Sequence, residues 1–420
     1  MSRRLALLAL LAVVVAGCPA APTTTALDWP EPGPVGAATA IYDLRWDGAL
    51  IGEAAQRDSP SLLVRTERVT VRRGEAVVTD ELYLEIARVD GAATAVRLER
   101  GSAGERHRGL AVATAAGWEV HQDGEAPVIV PPARPFEEVI ARPPGPDGFA
   151  GPVLLAGWGF AVAPLAIVAD GEDWRATLEL DGGAVSARLR YAADGVLDRV
   201  ASGDGVTAER RRPDAPPPRF APIEVVDGNA LIVDGGAAAS LEFPDALGAV
   251  PALPGQRVTP LPTGGWRVDL DAAAPGGLPP GAPGPDRSAD LADLTAMVAD
   301  RIADDLGATA PSLGAARTAT RGDCTTHALA LVAAADDLGL TTRIVTGLRL
   351  DGDTLIRHRW VVAWTGQRWL ALDPTYRESP ARPRLIGLAS HGPRAAERAV
   401  VDAAVFDRLG RRVRAAAPLD

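Results

Sequence analysis

The 420-residue chain has no lysine at all; every one of its 43 basic residues is arginine. It therefore offers no side-chain amine as an acyl acceptor. Positive charge is in deficit overall, since 54 acidic residues leave a formal net charge of -11. Non-specific nucleic-acid binding needs clustered positive charge, so it is excluded as a main role. Cysteine is nearly absent: Cys18 and Cys324 are the only two. One intrachain disulfide is the most they can form, so a disulfide framework is excluded. The length suffices for two or three domains, and a hydrophobic share of 47% is that of globular rather than disordered protein.

The N-terminus reads as an address. Arg3 and Arg4 precede an apolar run from Leu5 to Val15, followed by Ala16-Gly17-Cys18. This is the charged region, short apolar region and small-residue cleavage site of an export signal, too short to serve as a spanning helix. Val15-Ala16-Gly17-Cys18 resembles a bacterial lipobox, which implies a lipoprotein signal peptide over 1–18, lipidation at Cys18 and attachment to the cell envelope through that anchor. Residues 19–36, rich in Pro and Thr, then form a tether unable to pack a core. If Cys18 carries lipid, Cys324 has no disulfide partner. A lone thiol in an exported protein calls for a chemical explanation.

Residues 37–212 alternate apolar and polar side chains with period two, as in Val69-Thr70-Val71 and Val185-Ser186-Ala187-Arg188-Leu189. Turn signals at Arg73-Gly74-Glu75 and Asp181-Gly182-Gly183 separate the runs. The pattern predicts a mainly antiparallel β domain, either a sandwich or a barrel. It holds no catalytic constellation; His107 and His121 stand among polar residues and read as surface histidines. After the linker Asp214–Arg219, the strand-like pieces of 220–274 form a small β module or a strand extension of the final domain. A Pro- and Gly-dense linker leads to the last domain, 284–420.

That domain carries the chemistry. A helix opens at Asp286-Arg287-Ser288, buries Leu291, Leu294, Val298 and Ile302, and closes by Gly307. A second, rich in Ala and Leu, follows Arg321-Gly322-Asp323-Cys324 and closes at Gly339. Cys324 thus stands at a helix N-terminus, where unsatisfied N–H groups and the dipole favour an anion such as a thiolate. The alternative reading is a small buried hydrophobe, and position alone leaves the two even. Thr342–Leu350 and Thr354–Trp364 form a hairpin about Asp351-Gly352, and Thr365-Gly366 turns the chain towards Asp373. A two-residue turn there pairs Val362 with Trp369, Trp360 with Ala371, and His358 with Asp373. Directly opposed residues have Cβ atoms about 5 Å apart, close enough for Asp373 to accept from Nδ1 of His358 and leave Nε2 for the thiol. His327 makes Cys-x-x-His with Cys324, but two ligands are too few for a structural zinc site, so no metal is expected. His391, in an apparent loop, reads as exposed.

Gly322-Asp323-Cys324, His358-Arg359-Trp360-Val361 and Leu372-Asp373-Pro374-Thr375, in that order, resemble the three blocks of the transglutaminase-like superfamily. The resemblance spans roughly the last third of the chain. It implies a papain-like α+β core, with Cys324 as nucleophile, His358 as general base and acid, and Asp373 as orienting carboxylate, and no cofactor. The chain departs from the family at Arg359, commonly Ala, and at Val362, often Glu, two positions that bear on substrate. An acyl-thioester on Cys324 resolved by water gives a peptidase or amidase acting on a protein or peptide substrate, the outcome favoured by resemblance to bacterial relatives. Resolution by an amine gives a protein-glutamine cross-linking transferase. A non-catalytic envelope binding or scaffold protein is the reading from another class, and an arylamine-type acyltransferase fits the Asp-Pro-Thr block less well.

Overall fold

The computed structural model describes residues 40–416, apart from 216–222, 225–230, 245–249, 398–412 and several stretches of up to three residues. The signal at 1–18, its Cys18 and the tether at 19–36 lie outside the described residues. Two units divide the chain, essentially 3–223 and 224–420.

The N-terminal unit is one sheet whose strand order follows the chain. Its first strand, Ala40–Trp46, pairs with Ala49–Asp58 on one side and with Val206–Arg210 on the other. Antiparallel hairpins continue the sheet in both directions; Arg134–Pro135 against Phe149–Leu155 is a parallel exception. The strands on either side of two expected turns pair, with Arg73 opposite Ala76 and Leu180 opposite Gly183. Leu63, Leu84, Ile86 and Val96 share a core with Leu154 and Phe160, which belong to the distant limb of the strand order. A sheet whose separated limbs pack on one another is curled, so one folded-over sheet stands where the sequence left sandwich and barrel open. The inner face also buries charge: Arg65 and Glu67 pair at 2.5 Å, and each is at least 94% buried. His121 is half-buried beside Glu119 at 3.1 Å.

Elements of the C-terminal unit are numbered from its first strand. β1 (Leu231–Asp234), β2 (Ser240–Phe243), β3 (Gln256–Pro260) and β4 (Trp266–Leu270) precede α1 (Ser288–Arg301), β5 (Ala303–Asp304), α2 (Leu313–Thr318), β6 (Arg321–Gly322) and α3 (Cys324–Asp337). β7 (Thr342–Asp351), β8 (Thr354–Trp364), β9 (Trp369–Leu372), β10 (Leu385–His391) and β11 (Val413–Ala415) follow. The main sheet has the order β3-β4-β2-β11-β1-β8-β7-β10, with β9 also paired to β8. The strands of 220–274 therefore extend the sheet of the final domain rather than forming a separate module: β1 pairs with β8, and Leu241, Phe243 and Val268 share a core with Leu348, Leu355 and Ile386.

Helices cover one face of this sheet. Leu291 and Val298 of α1, Ala315 and Ala316 of α2, and Ala328–Val332 of α3 pack on Ile344, Val361, Ala363 and Leu372. Residues of the opposite parity, Val345, Trp360 and Val362, pack with Leu253, Trp369, Ala381 and Leu385. The first helix stops at Arg301, six residues before Gly307, because Ala303 and Asp304 become extended and pair with Arg321 and Gly322. That short parallel pair carries the chain to the start of α3.

Candidate active site

Cys324 is the first residue of α3 and is partly exposed. Each preceding residue has a mechanical task. Asp323 caps the helix: its Oδ1 accepts from the Thr326 amide at 3.0 Å, and its Oδ2 accepts from the Thr309 hydroxyl at 2.7 Å. Gly322 lies against Thr326 so closely that a Cβ there would stand 2.3 Å from the Thr326 Cβ. Thr326 in turn accepts from the Ala310 amide at 2.7 Å, pinning the loop before α3 to its first turn. At the far end Gly339 takes φ 66°, its amide donates to Asp336 and that of Leu340 to Ala335. This is a Schellman closure at the expected glycine.

His358 is buried in β8, and Asp373 is fully buried just past β9. Their junction differs from the sequence expectation in two respects. Thr365–Arg368 form a four-residue connection, closed by the Thr365 amide on the Arg368 carbonyl at 2.9 Å, so Trp364 rather than Val362 stands opposite Trp369. Val362 faces Ala371, and His358 meets Asp373 diagonally rather than directly. A slip of two residues preserves the face of every side chain, which is why the contact survives. The imidazole is also turned the other way. Nε2, not Nδ1, lies 2.9 Å from Asp373 Oδ2, which leaves Nδ1 as the ring nitrogen available to the thiol of Cys324. Burial pushes the imidazolium towards losing its proton, but the charge and hydrogen bond of Asp373, with a smaller contribution from Cys324, outweigh it and raise the pKa to about 9.

Asp373 is itself clamped. Its backbone N–H and C=O exchange 2.9 Å bonds with those of Glu378, closing a loop in which Arg377 adopts φ 55°. Arg349 of β7, only 4% exposed, donates to Asp373 Oδ2 at 2.8 Å and to both oxygens of Glu378. The Tyr376 ring lies 3.5 Å from the Arg349 guanidinium and meets the His358 ring edge-on at 5.5 Å; Trp360 stacks on His358 from 6.1 Å. Of these, the sequence blocks contained Trp360 alone. Arg349 alternates with Leu348 and Leu350 as an outward strand residue would, and its burial is set by a loop some 25 positions later.

Arg359, one of the departures from the family pattern, ties the helix to the sheet: Nη1 donates to the Thr325 hydroxyl at 2.8 Å and Nε to that of Thr346 at 3.2 Å. Thr346 also meets Nε2 of His391 at 3.0 Å. His391 is thus buried in β10, not exposed, because the apparent loop is a strand beside β7. His327 is buried too, and its two ring nitrogens each face a backbone carbonyl at 3.0 Å, those of Asp323 and Ile302. The ring thus packs against the backbone around the start of α3.

Residues 287–374 match the family model of the transglutaminase-like superfamily. No curated protein matches the chain. Among solved structures, a β-barrel-like protein with a domain of unknown function from Brucella abortus is similar over 41% of this chain and 94% of its own, at 14% identity and a TM-score of 0.31. A candidate cysteine protease from Cytophaga hutchinsonii is similar over 42% of this chain and 81% of its own, at 16% identity and a TM-score of 0.23. The family match thus lies within the C-terminal unit and spans α1 to the residue after Asp373.

Proposed function

We propose that the chain, whose residues 287–374 match the transglutaminase-like superfamily, is an envelope-anchored thiol hydrolase that cleaves an amide or peptide bond through an acyl-thioester on Cys324. The observation that carries the reading is the 2.9 Å contact of His358 Nε2 with Asp373 Oδ2, which leaves the other imidazole nitrogen to the sulfur.

The steps follow from that arrangement. His358 Nδ1 takes the thiol proton, and the thiolate attacks the carbonyl carbon, forming the C–S bond. The backbone N–H of Cys324 serves as a donor to the developing oxyanion. Collapse breaks the C–N bond, and Nδ1 returns its proton to the departing amine. Water then enters, loses a proton to His358 and attacks the thioester; the C–S bond breaks, the released carboxylic acid departs, and His358 returns its proton to the sulfur. Asp373 Oδ2 holds Nε2 throughout, steadying the imidazolium.

The lipobox-like Val15-Ala16-Gly17-Cys18 supports export and anchoring at the envelope, where the substrate is a protein or peptide. The N-terminal sheet then stands between the anchor and the enzyme in sequence.

Incubation of the protein lacking 1–18 with peptide and amine mixtures, read by mass spectrometry, tests the reading. Peptide hydrolysis lost in Cys324→Ala supports it. Amine incorporation that outpaces hydrolysis makes the protein a cross-linking transferase. Turnover of neither, with no acyl adduct on Cys324, leaves a scaffold.

A further inference from the structure

Nothing in the acyl transfer itself requires a second cation, yet one is built into the site. Arg349 reaches from β7 into the space between two carboxylates and is 96% buried there. Its Nη1 lies 2.8 Å from Asp373 Oδ2 and 3.4 Å from Glu378 Oε2, and its Nη2 lies 3.2 Å from Glu378 Oε1. The face of Tyr376 covers the guanidinium.

Arg349 and His358 donate to the same oxygen. Asp373 Oδ2 accepts both, while Oδ1, equally buried, has no hydrogen-bond partner among the described residues. Two cations at one oxygen repel each other, and each draws on the charge that would hold the other. In a buried site that competition is strong, because little solvent screens it. Glu378 keeps the guanidinium fixed by engaging both terminal nitrogens, and is itself held by the Arg382 amide at 3.0 Å.

We propose that Arg349 is a positioning residue that limits how tightly Asp373 holds the imidazolium of His358, by claiming the carboxylate oxygen they share. The proposal rests on the reading of Cys324 as nucleophile and His358 as its acid and base. Its purpose lies in the acid half of the cycle. An imidazolium gripped by an undivided buried carboxylate gives up its proton reluctantly, and general acid catalysis is best when the acid titrates near the working pH. The groups facing His358 are Cys324 from α3 and Asp373 and Tyr376 from the loop after β9; Arg349 and Glu378 act through Asp373.

The test is the pH dependence of iodoacetamide alkylation of Cys324 in the full-length protein. The rate has an upper limb, where the imidazolium of His358 loses its proton. Arg349→Met with Glu378→Gln removes one charge of each sign and avoids leaving two buried carboxylates facing each other. With native near-ultraviolet circular dichroism retained, that double variant moves the upper limb up by about one pH unit, as loss of a neighbouring like charge requires. Arg349→Lys, which keeps the charge, and Glu378→Gln alone leave the limb near its original position. An upper limb that stays in place, or moves down, in the folded double variant overturns the proposal. A native protein without any His358-dependent limb instead overturns the assignment of the nucleophile and its base.

Discussion

His358 Nε2 lies 2.9 Å from Asp373 Oδ2, although the two residues are not opposite each other in the pairing of β8 with β9. Asp373 stands one position beyond the last residue of β9, and its place is fixed by backbone bonds to Glu378 and by Arg349 rather than by the strand ladder. The imidazole is therefore oriented by a loop clamped at both ends. Replacing Asp373 by Asn keeps the shape but removes the charge and offers the ring an amide in place of an acceptor pair. Hydrolysis is expected to fall by on the order of 10³–10⁴-fold in kcat, as when the acid of a triad is neutralised, with KM little changed. Steady-state kinetics on the substrate found by peptide profiling checks this.

The raised pKa of His358 is also a statement about stability. Its value of about 9 in the folded protein exceeds the ordinary 6.5, so the folded state binds the proton more tightly. The resulting stabilisation is fully present below about pH 6.5 and is lost as pH rises through about 9. It amounts to roughly 3 kcal/mol at most, since each tenfold gain in proton affinity is worth about 1.4 kcal/mol. Thermal melts of the C-terminal unit from pH 6 to pH 10 should show this decline in the native protein and a flatter profile in His358→Gln.

Gly322 holds Cys324 in place by having no side chain. A Cβ there would stand 2.3 Å from Thr326 Cβ and 2.4 Å from its Oγ1, and neither can retreat while Thr326 holds the Ala310 amide. Gly322→Ala is expected to cost about 1–3 kcal/mol, the range for overpacking a filled interior. It should also slow Cys324 alkylation by displacing the first turn of α3. Denaturant melts and alkylation rates on the same preparation check both effects. A variant of native stability and native reactivity would show that the contact relaxes freely.

The three blocks around Cys324, His358 and Asp373 were legible because each carries its chemistry in adjacent residues. Helix α3 was legible from its Ala-rich body and Gly339. The register of β9 was not, because loop length depends on whether Trp364 is followed by a two-residue turn to Gln367 or by a four-residue connection to Trp369, and composition alone does not distinguish the two. The end of α1 was hidden since Gly307 is a good stop signal, yet the β5–β6 pairing claims Ala303 first. His391 and Arg349 were misplaced or unseen for a common reason. Their burial comes from partners distant in sequence, Thr346 and Glu378, whereas alternation reports only on the local strand.

The N-terminal unit has its own pH dependence. Burial pushes the carboxyl of Glu137 up to about 7, against the opposing effects of its own backbone and of Arg65 and Arg100. Because the folded state holds the proton more tightly than the unfolded chain, stability of this unit declines as pH rises from about 4.5 to about 7 and is level above. Glu137→Gln should therefore raise the melting temperature at pH 8 and leave it nearly unchanged at pH 4.5. Equal effects at both pH values would mean the carboxyl is ionised throughout.

The most direct test compares iodoacetamide alkylation of Cys324 at pH 6 in the native protein and in His358→Ala. A thiol with the imidazole beside it as base is alkylated faster than the same thiol once the ring is removed. Equal rates in the two proteins would contradict the account.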